Sequence, residues 1–177
     1  MQHGSLLAMP LLLSMALLSG CKGLDVVPIL NGDNCAPTRE VTVARTLDGD
    51  TFETTEGESI RLLGINAPEI AHPDQDVECW GPESGDWLAA QLTDQTVKLG
   101  FDAECTDLYG RTLAYVWTLG TDTGDTSDDV LINEQSVREG ESRVYEDFDD
   151  IKLADILYEA QAVAQRESSG LWGVCES

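Results

Sequence analysis

The sequence predicts an α+β domain, a small five-stranded β-barrel with three helices packed against it. Three observations carry that expectation. "EVTVARTLDGDTFETTEGESIRLLGI" (40–65) alternates apolar and polar residues around the turn signals "DGD" and "EGE", the two-residue period of half-buried strands. Two more runs of strand character, "TVKLGFDAE" and "RTLAYVWTLG", follow a short segment of helical spacing. The C-terminal segment then keeps apolar residues on one helical face.

Strands are expected at about 39–46, 50–55 and 59–65, joined by tight turns. "GPESGDWLAAQLTD" (81–94) opens with Pro82, a good first helical residue, and carries Trp87, Leu88 and Leu92 on one side, so a short helix follows. Strands at 96–104 and 111–120 come next, the second with Leu113, Tyr115 and Trp117 on one face. "TDTGDTSDD" is an acidic loop. A second helix is expected in "DVLINEQSVREG" (129–140), ended by Gly140. The third, in "DFDDIKLADILYEAQAVAQRESSGLWG" (147–173), has acids in its first turn and Ile156, Leu157, Ala160 and Val163 at helical spacing. Five strands in meander-like order with interspersed helices point to a closed barrel of the OB type. There are no internal repeats.

The first twenty of the 177 residues read as a leader. "SLLAMPLLLSMALLSG" is uncharged, interrupted by proline, and ends in small residues before Cys21. "LLSGC" resembles a bacterial lipobox, so Cys21 is expected to be lipidated, and residues 21–38 to be a linker into a domain spanning 39–177. The positively charged start of such leaders is missing, with only His3 in its place; a misplaced start codon, a plain cleaved signal and a buried apolar helix of the domain are the other readings. A lipidated Cys21 would hold the domain on a membrane surface, in the cell envelope.

Export changes the reading of the other cysteines. Cys35, Cys79, Cys105 and Cys175 are an even set in an oxidising compartment. Four cysteines allow three pairings; the favoured one is Cys79–Cys105 with Cys35–Cys175, the second clamping the two ends of the domain. Each bond would contribute roughly 3 kcal/mol. No CxxC pair supports a zinc site.

The net charge is −23, with 33 acidic residues against 10 basic ones. Such a surface repels polyanions, and it is also the surface of proteins from saline habitats. Nucleic-acid binding has to overcome it.

Three motifs stand in order: "LDGDT" (47–51), "RLLGINAPE" (61–69) and "DLYGR" (107–111), with "CWGPES" between and "INEQSVREG" after them. Together they resemble the staphylococcal nuclease (thermonuclease) family, from about Val41 to Trp172. The resemblance implies an SNase-like barrel and a calcium-dependent nuclease acting on single-stranded DNA and RNA with little sequence preference. It also implies roles for single residues. Asp50 and Asn66, with the Ala67 carbonyl, would bind calcium, an ion that favours oxygen ligands; the family often has aspartate where this chain has Asn66, so one negative charge is gone. Arg61 and Arg111 would bind phosphate oxygens through planar forks that never lose their charge. Glu69 would orient or deprotonate the attacking water, and Pro68 biases Ala67 toward extended backbone. Tyr109 and Tyr145 fall where the family lines its nucleotide pocket, with faces fit to stack on bases.

Each position has a plainer reading. Asp-Gly is a commonplace turn, Arg61 could form an ion pair with Glu69 or an aspartate, and both tyrosines could pack at a barrel rim. His72 reads as a surface histidine. Leu108 stands where the family often has lysine. Between Arg61 and Arg111 the only other cation is Lys98, amid ten acidic residues. Long duplexes should therefore bind poorly at low salt, and activity should tolerate added salt. A monomer is expected. The alternative to an enzyme is a non-catalytic binding module on the same barrel.

Overall fold

The structure is a computed structural model that describes residues 35–71, 76–120, 128–145 and 151–175. The leader, the linker to residue 34, Cys21 and His72 lie outside the described residues. The elements run β1 (Arg39–Thr46), β2 (Thr51–Thr54), β3 (Ser59–Leu62), β4 (Ile65–Asn66), α1 (Gly81–Leu92), β5 (Thr96–Gly100), β6 (Thr112–Thr118), β7 (Val130–Leu131), α2 (Ile132–Glu139), β8 (Arg143–Val144), α3 (Ala154–Glu167) and α4 (Leu171–Val174).

The five expected strands are β1, β2, β3, β5 and β6, and they close into a barrel. β3, β2, β1, β5 and β6 are successive antiparallel neighbours, and β3 pairs with β6 in parallel to shut the ring. Alternation in the sequence produces this because each strand turns one set of side chains inward. Val43, Phe52, Ile60, Val97, Leu99 and Val116 fill the interior and are fully buried or nearly so. The other face of β6 carries Leu113, Tyr115 and Trp117, which pack with Leu63 and Leu153 as a second cluster. That face is the one the sequence predicts.

Three local departures have physical causes. The run expected as one strand at 59–65 breaks at Gly64, whose φ is 82°. A side chain there would meet Ile151 at 2.5 Å and Leu157 at 2.7 Å. Beyond the break, β4 leaves the barrel and pairs with β8. The second helix starts at Ile132 rather than at the acidic loop, because Val130 and Leu131 pair with the end of β6 as β7; β-branched and bulky residues favour that state. In α3 the buried face is Leu157, Ala160 and Ala164, while Ile156 is exposed.

The favoured disulfide pairing is wrong. Cys35 bonds to Cys105 and Cys79 to Cys175. The cause is strand register. β1 runs antiparallel to β5 with Arg39 opposite Leu99, so the chain before β1 runs alongside the chain after β5, and Cys35 arrives at Cys105. Cys79 sits just before α1, and its neighbour Trp80 donates Nε1–H to Glu141 Oε2 at 2.8 Å. Glu141 follows Gly140, whose carbonyl accepts the Leu171 N–H. The C-terminal turn and Cys79 thus meet at the same corner.

One buried side chain fastens the barrel seam. Asn133, from α2, is fully buried; its Nδ2 donates to the Leu63 carbonyl at 2.9 Å and to the Ala114 carbonyl at 3.3 Å, and its Oδ1 accepts the Val116 N–H at 2.8 Å. Backbone groups at the end of the parallel β3–β6 pair are thereby satisfied.

Candidate active site

The site is assembled by two turns and the seam. In the first turn the Asp48 carboxylate accepts the Asp50 N–H at 2.9 Å, and the Leu47 N–H bonds the Thr51 carbonyl. This local bond is what Asp offers a turn. It delivers Asp50 to the start of β2, where its side chain is 8% exposed. Asp50 Oδ2 accepts the Ala67 N–H at 2.8 Å, and Oδ1 accepts the Thr51 hydroxyl at 2.9 Å.

Arg61 comes to Asp50 through register. Thr51 lies opposite Arg61 in the β2–β3 pair, so the guanidinium reaches the residue beside Thr51. Arg61 Nη2 lies 2.9 Å from Asp50 Oδ2 and 3.0 Å from Asn66 Oδ1, and Nη1 donates to the Leu62 carbonyl at 2.7 Å. Both partners of this ion pair are nearly buried. Burial pushes the Asp50 carboxyl up to about 7, against the pull of the Arg61 charge; Asp48 adds repulsion, and the bonds from Ala67 and Thr51 work the other way.

Arg111 comes from the second turn. Asp107 Oδ1 accepts the backbone N–H of Tyr109 and of Arg111, each at 2.9 Å, and Gly110 supplies the positive φ of 82° that the turn needs. The Arg111 Nε–H donates to Asp107 Oδ2 at 2.6 Å. Burial raises the Asp107 carboxyl, but the Arg111 side chain and backbone outweigh it and hold it below its ordinary value. Arg111 Nη1 lies 3.4 Å from Thr51 Oγ1. The two arginines therefore meet over one Asp50–Thr51 pair, Arg61 through the carboxylate and Arg111 through the hydroxyl.

Glu69 is half-buried on the loop after β4. Its backbone is pinned by Glu78, which accepts its N–H at 3.1 Å and donates an N–H to its carbonyl at 2.9 Å. Gly81 packs so closely on that carbonyl that a side chain there would lie 2.2 Å from it. Among the described residues its carboxylate makes no hydrogen bond or ion pair, and nothing ties it to either arginine. Tyr109 is 86% exposed, with its ring 5.5 Å from the Arg111 guanidinium carbon. Tyr145 is at the surface, where its backbone N–H bonds the Gly64 carbonyl. The structure brings Asp50, Arg61, Asn66, Ala67 and Arg111 into one bonded network with Thr51 and Asp107, and Tyr109 touches it through Arg111.

Two residues of that network, Thr51 and Asp107, escape the sequence reading. The signal for Asp107 is its spacing of four from Arg111; for Thr51 it is adjacency to Asp50 in "DGDT".

Two of the oxygens that would hold a cation, Asp50 Oδ2 and Asn66 Oδ1, lie together. One nitrogen, Arg61 Nη2, bonds both Asp50 Oδ2 and Asn66 Oδ1, so a single positive group already bridges them. A carboxylate, an amide oxygen and a backbone carbonyl are the donors a hard cation takes. The charge is sparse: no cluster of three or more His, Cys, Asp or Glu able to hold a metal forms among the described residues.

Comparison with known proteins agrees with this frame. The profile described as "Staphylococcal nuclease homologue" matches residues 59–174. A thermonuclease of Staphylococcus hyicus is 33% identical over 133 residues, 73% of each chain. A thermonuclease of Staphylococcus intermedius is 34% identical over 133 residues, 73% of this chain and 74% of that one. The SPbeta prophage-derived endonuclease YokF of Bacillus subtilis (strain 168) is 28% identical over 138 residues, 75% of this chain and 44% of its own. Because that match covers more than half of the chain, the protein belongs to the staphylococcal nuclease family.

Proposed function

We propose that the protein is a nuclease that hydrolyses phosphodiester bonds of DNA and RNA with little sequence preference, uses calcium, and is tethered to the cell envelope through Cys21. The relatives' nuclease activities support the reaction class. The observation that carries it onto these residues is the meeting of Arg61 and Arg111 over Asp50–Thr51.

A guanidinium has five N–H donors. Arg61 uses three of them on Leu62, Asp50 and Asn66, and Arg111 uses two on Asp107 and Thr51. Each fork keeps donors for a phosphate while its protein partners fix its plane. Two forks aimed at one phosphodiester stabilise the charge that builds on its oxygens as water attacks. Glu69 takes the proton from that water, or orients it; a carboxylate with no partner among the described residues suits that work. The new bond joins the water oxygen to phosphorus, and the ester oxygen on the opposite side departs. Asp50, Asn66 and the Ala67 carbonyl are the groups that would hold calcium, and a bound cation supplies charge to polarise the phosphate and the water.

The test is hydrolysis of single-stranded DNA and RNA with calcium or with chelator, for wild type and Arg61→Ala. Rates that are equal under all conditions would overturn the nuclease. Mass spectrometry of envelope-extracted protein, wild type and Cys21→Ser, tests the tether; an unmodified wild-type Cys21 would overturn it.

A further inference from the structure

The charge that surrounds the site limits what it can hold. Of the ten basic residues, all but Lys22 lie among the described residues. Every one of those nine is engaged within the protein. Arg39 binds Glu58 at 2.6 Å, Arg45 binds Glu53 at 2.8 Å and Arg138 binds Glu134 at 2.5 Å. Lys98 is paired with Asp129. Lys152 and Arg166 lie 3.9 Å from Asp102 and Glu167, and Arg143 lies over the Trp172 ring. Arg143 stands opposite Asn66 across the β4–β8 pair, with its guanidinium over the Trp172 ring, and Arg61 and Arg111 are the guanidiniums that meet at Asp50–Thr51, each held by a carboxylate partner.

Among the described residues, the flanks formed by the two turns hold no substitute. A groove of about 230 Å³ beside the first turn is lined by Leu47, Asp48, Ile70, Pro82 and Asp86, among others, with two carboxylates and no cation. On the other flank Leu108, at the tip of the second turn, is fully exposed beside Tyr109. A strand of nucleic acid that extends along either of these two flanks meets acid or hydrocarbon among the described residues. Polymer affinity normally grows with each phosphate neutralised.

We propose that this protein grips its substrate at one phosphodiester and repels the phosphates beyond it, so that its preferred substrates are short single-stranded oligonucleotides. The class of reaction that supplies them is endonucleolytic cleavage of longer nucleic acid. The proposal rests on the nuclease reading and adds a sign: lengthening the substrate lowers efficiency. Repulsion of this kind acts over the Debye length, about 30 Å at 0.01 M salt and about 3 Å at 1 M. The length penalty is therefore large in dilute buffer and absent in concentrated salt.

The experiment measures kcat/KM per bond for single-stranded oligothymidylates of three and twenty nucleotides, in calcium, from dilute to molar salt. In dilute salt the twenty-mer is expected to be on the order of tenfold poorer than the trimer, and within about twofold of it at 1 M. A twenty-mer that is as good or better in dilute salt, with efficiency falling steeply as salt rises, overturns the proposal while the nuclease stands. Leu108→Lys supplies a second arm: it should improve the twenty-mer by about three- to tenfold in dilute salt and leave the trimer within about twofold. An equal effect on both lengths counts against it. If neither oligomer is cut, anisotropy of the same labelled oligomers decides: tighter binding of the trimer keeps the charge argument and sinks the nuclease, and tighter binding of the twenty-mer sinks both.

Discussion

Ser84 Oγ occupies the space where a side chain on Gly49 would begin: a Cβ at Gly49 would lie 1.9 Å from that hydroxyl and 2.6 Å from the Ala67 Cβ. Helix α1 thus presses directly on the turn that delivers Asp50, and only glycine lets it. Gly49→Ala should destabilise the protein by about 1–3 kcal/mol, as overpacking does, and displace Asp50. The Ser84 hydroxyl is buried without a hydrogen-bond partner among the described residues, so Ser84→Ala should be neutral or stabilising by up to about 1 kcal/mol. Urea midpoints for both variants check this.

Arg61→Ala and Arg111→Ala should each lower kcat on the order of 10²- to 10³-fold, the usual effect of removing one aimed donor. Arg61→Lys should not recover the loss, since an ammonium cannot bond Leu62, Asp50 and Asn66 from one plane and still meet a phosphate. Arg61→Ala also leaves the buried Asp50 carboxyl without its cation, which costs stability. Steady-state kinetics beside thermal unfolding separates the two effects.

Acid should weaken the fold through Glu58. Burial raises its carboxyl, but hydrogen bonds from Arg39 and Thr112 and the Arg39 charge outweigh that and hold it below the ordinary value. A carboxyl lowered in the folded state contributes stability above its unfolded value, and that contribution is lost as pH falls through the folded one. The pair is a third exposed and so screened, and its contribution is about 0.5–1 kcal/mol. Glu58→Gln should flatten that part of the stability–pH curve below about pH 4.5, the ordinary glutamate value. Unchanged curves would contradict the assignment.

Peptide mapping without reductant should recover Cys35 linked to Cys105 and Cys79 linked to Cys175. Loss of either bond, as Cys105→Ser or Cys175→Ser, should cost roughly 2–5 kcal/mol, because sequence separations of 70 and 96 close long loops. The Cys105→Ser change should also loosen the segment that leads to Asp107 and Arg111, and so lower activity more than Cys175→Ser does.

What the sequence discloses and what it withholds divide along a physical line. Alternation and turn residues depend on near neighbours, so the five barrel strands and the face carried by Leu113, Tyr115 and Trp117 are legible. Gly64 breaks its strand because Ile151 and Leu157, some ninety positions on, fill the space beside it, and no local pattern records that. The disulfide pairing fails for the same reason, since it follows from the register that sets Arg39 opposite Leu99. At the site, the motifs identify Arg61 and Arg111 as candidates. Their shared attachment to Asp50 and Thr51 needs Thr51 set opposite Arg61 across a hairpin, a fact of pairing and not of composition.

The parallel joint of β3 with β6, tied off by Asn133, has a kinetic corollary. Arg61 meets Asp50 inside a single hairpin, which a short stretch of chain can form early. Arg111 is carried in by β6, and Thr51 meets it once residues some fifty positions apart align, with Arg61 opposite Leu113. Contacts between distant parts of a chain form slowly. A molecule with every hairpin made and that joint still open would own every group of the proposed site and cut nothing, so the first appearance of hydrolysis during refolding should mark the moment the ring shuts.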